Sequence, residues 1–168
     1  GHVQYMTGKV DQALQSYHRV LDDANISSEI SDIEKDYVHL VYLRLGRIHM
    51  DRNEYDLAKQ VFIDSCNKEL PTVNTWLGIG KACYYENKFE DAEDALAEAN
   101  MLDQRHPDVW ALLSMVCLQQ SIAKPQVSRK DEAEQSFKYA VKMGCSDEIL
   151  LEELGNLQVR AGMGDPRF

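Results

Sequence analysis

The sequence predicts an all-α chain, a right-handed α-solenoid of helix-turn-helix units closed by a C-terminal capping helix. Three observations predict it. A step of 34 residues links Tyr42, Trp76 and Trp110. Small residues keep that step, with Gly46, Gly80 and Ser114 each four places after an aromatic. Ala58 and Ala92 repeat it again, with Phe62 and Leu96 four places after them. A fixed period of about 20–50 residues marks stacked supersecondary units, because one such unit cannot bury its own apolar face.

The units follow in order, as one solenoid over 1–168. Residues 1–25 form a partial first repeat: Gly1 falls at the small position of an incomplete A helix, and a B helix near 9–25 carries Ala13-x3-Tyr17. Ala13 to Ala58 is 45 residues rather than 34, and the excess is the polar stretch Asn25 to Ser31, ahead of a Ser31-x-x-Glu34 capping box. A helix pair then fills 32–67. The next pair, 72–103, reads Trp76-x2-Ile79-Gly80-x2-Cys83 and then Ala92-x3-Leu96. The fourth unit, 107–143, has an enlarged turn at 121–129, SIAKPQVSR, because Ala92 to Ala133 is 41 residues and Pro125 cannot continue a helix. After Ala133-x3-Phe137 and the helix stop Gly144, Leu151-x2-Leu154-Gly155 resumes the A-helix phase in a closing helix at 147–161. Residues 162–168 are a tail.

This pattern, W-x2-L-G-x2-Y followed by A-x3-F, resembles the tetratricopeptide repeat. Each repeat-packing position has a physical task. The small residues let helices A and B approach closely, and the large ones fill the space beside that contact.

Lys plus Arg number 18 against 28 Asp plus Glu, a net charge of −10, so the electrostatic attraction that drives nucleic-acid binding is reversed. Neither nucleic acid nor an anionic membrane is an expected partner. No apolar run reaches the length of a membrane span and the front of the chain lacks a signal-peptide pattern, which points to a soluble intracellular protein. Cys66, Cys83, Cys117 and Cys145 contain no C-x-x-C pair, so free thiols are expected and no metal or other cofactor. The Asn25-Ile26-Ser27 sequon reads as ordinary linker.

Catalysis needs polar groups converging on a cleft, and the five histidines are dispersed. His49 takes the slot of the repeat tyrosine and reads as a packed core residue; His106, before Pro107, reads as a cap or an exposed side chain. An enzyme is not predicted.

Repeats of this kind line a concave groove with their A helices and hold a peptide or helix there. Carried over by phase, the groove-facing positions are Leu43 and Arg47, then Leu77, Lys81 and Tyr84, then Met115 and Leu118, with Arg44 beside them. Apolar anchors among three cations suit an amphipathic segment with acidic residues on one side. The competing reading is that the leucines, Met115 and Tyr84 complete the interhelical core. Chaperone-binding relatives grip a terminal carboxylate with Lys, Asn and Arg, but the corresponding positions here hold Leu43, Arg47, Gly78, Asp108 and Leu112, so no such clamp is expected. The acidic stretch from Glu86 to Asp103 reads as a solvated convex face or, alternatively, as a docking surface for a basic partner.

From Thr75 onward, TWLGIGKACYYENKFEDAEDALAEAN, VWALLSMVCLQQ, DEAEQSFKYAVKMG and GMGDPRF together resemble the C-terminal tetratricopeptide region of the cilia- and flagella-associated protein 70 family. That resemblance implies a structural component of the motile-cilium axoneme, cytoplasmic and cytoskeletal, concerned with dynein-driven motility and held by contacts with axonemal protein subunits. It also implies that Phe168 is the natural C-terminus. Because Gly1 begins inside a helix, further repeats are expected upstream, and an uncapped front edge offers a route to self-association. A regulatory or targeting adaptor attached to a catalytic region elsewhere in a longer protein is the alternative function.

Overall fold

The computed structural model describes the backbone of residues 2–26, 32–68 and 71–163, and the side chains of 9–23, 35–68 and 71–163. Among these residues there are eight α-helices and no strand: α1 His2–Ile26, α2 Asp32–Asp51, α3 Tyr55–Asn67, α4 Val73–Tyr85, α5 Phe89–Leu102, α6 Pro107–Ala123, α7 Lys130–Lys142 and α8 Glu148–Arg160. They fall into two compact units, Gly1–Pro71 and Thr72–Phe168. The Ser31 capping box, the Asn25–Ser31 linker beyond Ile26 and the tail from 164 lie outside the described residues.

In the first unit α1 is longer than the spacing predicts. It begins at His2 and runs unbroken through the position where a turn between an A-helix remnant and the B helix was expected. Nothing local enforces a turn there, since the segment contains no proline and one glycine inside a helix costs only about 1 kcal/mol. Leu21 on α1 and Val38, Val41, Tyr42 and Leu45 on α2 form the core, with Leu14, Tyr17, Val20 and Val61 packed against it. Arg52 at the end of α2 donates to Asp11 of α1 at 2.7 Å.

The pairing of α2 with α3 explains the small position of the repeat. A Cβ on Gly46 would overlap the Phe62 ring, and Phe62 is itself buried. In the second unit Gly80 meets Leu96 in the same way, the Cδ2 of Leu96 standing 2.9 Å from where a Cβ would be. Ser114 carries the device one unit further in a different form: its Oγ donates to the carbonyl of Ala133 at 2.7 Å, fastening α6 to α7. Trp110 stacks on Tyr139 of α7 and donates its indole N–H to Gln104 O at 2.7 Å.

Tight turns between A and B helices rest on a second pair of residues 34 apart. Asn53 and Asn87 adopt left-handed φ values of 59° and 61°. Behind each, a six-residue hydrogen bond closes the helix end, from Glu54 N to His49 O at 2.8 Å and from Lys88 N to Cys83 O at 2.9 Å. Asparagine is among the few side chains that tolerate this conformation, which is why it recurs there. Gly144 closes α7 and Gly162 closes α8 by the same geometry. At the front of α4, Thr72 and Thr75 form a reciprocal capping box, Thr72 Oγ1 accepting from Thr75 N and Thr75 Oγ1 accepting from Thr72 N at 2.8 Å.

The enlarged turn of the fourth unit is divided in two. Ser121 to Ala123 extend α6, and only residues 124–129 leave the helix. Ser121 stays helical with its Oγ bonded to Cys117 O, while Lys124, forced out of the helical region by the proline that follows, has φ −133° and ψ 80°.

Candidate partner-binding face

The candidate positions given by the repeat phase lie on α2 in the first unit and on α4 and α6 in the second. In the first unit, Arg44 and Arg47 are exposed on α2, Leu43 is half-buried, and neither arginine pairs with a described residue. His49 is buried one turn further on, its Nδ1 3.4 Å from Glu54 Oε1.

In the second unit the same phase leads to a covered surface. Lys81 is half-buried and has no partner among the described residues, whereas Leu77 and Tyr84 on α4 and Met115 and Leu118 on α6 are buried, the last two completely. Tyr84 accepts a hydrogen bond from Gln119 of α6 at 3.0 Å, and its burial pushes the hydroxyl above the ordinary phenol range, partly offset by that bond. Its neighbour Tyr85 donates to both carboxylate oxygens of Glu153 on α8, at 3.2 and 3.0 Å.

α8 is one of the helices packed on α6. A helix turns 100° per residue, so the contacts of α6 divide around its circumference. Trp110, Ser114 and Ser121 face α7 or the turn that precedes it, and Gln119 faces α4. Ala111, Met115 and Leu118 are buried among the helices that contact α6, which are α4, α5, α7 and α8. α8 lies against α6 and makes no contact with α7, whereas within each unit the other B helices meet the A helix that follows, as α1 meets α2 and α5 meets α6. Leu150, Leu154, Leu157 and Ala161 form its buried face.

Sequence reasoning places α8 as a capping helix but does not say which helix it packs on, because Leu151-x2-Leu154-Gly155 keeps the repeat phase. The signal was present in α6 itself, VWALLSMVCLQQ, which is apolar on every side and therefore has no solvent face. It also missed Arg129, the last residue of the insertion. The guanidinium bonds both oxygens of Glu93 on α5 at 2.8 Å, Gln120 on α6 and Glu132 on α7, and holds the Glu132 carboxyl below its ordinary range. Beside it is a cavity of about 530 Å³ lined by Phe89, Ala123, Lys124 and Val127 among others. Glu93 of the acidic stretch is thus a structural partner, while Glu90, Asp91, Asp94 and Glu98 are exposed. His106 is the residue preceding α6, half-buried, and makes no capping bond with its side chain.

None of the four cysteines is in a disulfide, and burial pushes the Cys117 thiol up to about 11. No described helix is long and apolar enough to cross a membrane.

Residues 1–164 match the family described as "Cilia and flagella-associated protein 70 C-terminal domain". The chain belongs to this family. Over all 168 residues it is 39% identical to "Cilia- and flagella-associated protein 70" of Homo sapiens, and over 136 residues, 81% of the chain, 42% identical to the protein of that name in Macaca fascicularis. The chain spans only 14% and 13% of the lengths of these relatives. Its helix-turn-helix repeats are therefore those of a tetratricopeptide-type C-terminal domain.

Proposed function

We propose that this chain is a non-enzymatic protein-interaction scaffold that docks or assembles components of the motile cilium or flagellum, at the axoneme. The observation that carries the reading is the pair of exposed cations on α2, Arg44 and Arg47, which have no partner among the described residues, in a chain of net charge −10. Cations held without partners on A helices give orientation to an acidic or amphipathic protein segment, and the apolar neighbour Leu43 gives it contact area. Family membership supplies the cellular setting. The partners are protein subunits of the axoneme, dynein-arm or central-apparatus associated; no cofactor enters the reading.

Because the chain covers about a seventh of its relatives, a targeting module serving a region elsewhere in a longer protein is the second reading. The test is cross-linking mass spectrometry on isolated motile axonemes containing the full-length protein, wild type against the triple reversal R44E/R47E/K81E. Reproducible links from Lys81 to one axonemal subunit, lost together with axonemal retention in the reversal, are the expected result. Recovery of the wild-type protein only in the soluble wash would overturn the axonemal assignment.

A further inference from the structure

Within the second unit α6 rests on the B helix before it, α5, whereas α8 does not rest on α7. It reaches α4 through the Tyr85–Glu153 hydrogen bonds and packs on α6, where Met115 and Leu118 are fully buried. These are the positions at which a tetratricopeptide face would hold a partner. One flaw marks this packing: Gln158, on the buried face with Leu154 and Ala161, is 3% exposed and its Oε1 has no hydrogen-bond partner. An unsatisfied buried amide oxygen makes α8 a weaker occupant than a helix carrying an apolar residue there.

We propose that α8 is a built-in ligand of the α4–α6 face, and that the partner this face takes is an amphipathic helix of the same chemistry. Such a helix presents apolar side chains at the spacing of Leu150, Leu154 and Leu157 and a carboxylate at the place of Glu153, and it binds by displacing α8. This inference rests on the reading of the A-helix face as the docking surface. Tethering by the short turn after α7 gives α8 an effective concentration on the order of millimolar, so only a helix with better contacts competes. Replacing the unsatisfied glutamine by leucine supplies an improvement of roughly tenfold.

The probe is a fluorescein-labelled peptide of residues 146–162 carrying Gln158→Leu, titrated into the full chain and read by anisotropy, with hydrogen exchange followed in parallel. Expected are saturable binding near 0.1 mM by that arithmetic, loss of protection in 148–160 of the chain, and retained protection in 107–123. The chain variant Gln158→Leu should bind the peptide about tenfold more weakly, and Leu157→Ala at least tenfold more tightly. Absence of binding at roughly millimolar peptide to wild type, or binding that leaves 148–160 protected, overturns the proposal. The two readings fail separately. An axonemal partner that binds with α8 still protected sinks the displacement and spares the docking; a peptide that displaces α8 while the R44E/R47E/K81E chain stays on the axoneme does the reverse.

Discussion

At the scale of single residues, the repeat is a set of steric allowances. Gly46 and Gly80 are legible as spacing in the sequence, but what they are for appears only when Phe62 and Leu96 occupy the space a Cβ would need. Gly46→Ala gains helix propensity yet must displace a buried ring, a trade that overpacked cores lose by about 1–3 kcal/mol. Thermal unfolding should show the loss, and Phe62→Leu in the same chain should recover part of it, a coupling that a double-mutant cycle reads directly. Asn53 and Asn87 were equally available, 34 apart in RNEY and ENKF, and went unread because their role lies in backbone φ rather than in hydrophobic pattern. Ser114 shows the limit of a size-only reading: it holds the small position by donating a hydrogen bond as well as by leaving room.

At the scale of elements, α3 and α5 begin 34 residues apart, as do α4 and α6, since burial of one face per helix and short turns leave little freedom. The first helix escapes prediction because no residue before position 9 stops it. The insertion was legible as excess length, and its purpose was not, because Arg129 reaches residues on three different helices. A planar guanidinium can bond Glu93 with two parallel hydrogen bonds while still touching Gln120 and Glu132, and an ammonium cannot. Arg129→Lys should therefore cost about 1 kcal/mol in chemical unfolding despite keeping the charge. Part of that cost should persist at high salt, as the guanidinium is mostly buried, in contrast with the exposed Lys138–Glu134 pair.

At the scale of the molecule, the second unit encloses its own core. α6 is surrounded by α4, α5, α7 and α8, and Leu112, Met115, Val116 and Leu118 are fully buried within it. Residues 72–168 expressed alone should keep a helical circular-dichroism spectrum and melt cooperatively; a gradual, non-cooperative loss of signal would show that the core is not self-sufficient. The candidate face was half legible for the same reason. Phase alone proposes Arg44, Arg47 and Lys81, whereas the burial of Met115 and Leu118 depends on how the helices around α6 pack. Synthesis adds a direction to this arrangement. α6 leaves the ribosome before the two helices that complete its burial, so for that interval VWALLSMVCL is an all-round apolar segment with partners on one side only. A nascent chain stalled before Glu148 is thus a natural client for a holding chaperone, and release should coincide with the emergence of α8.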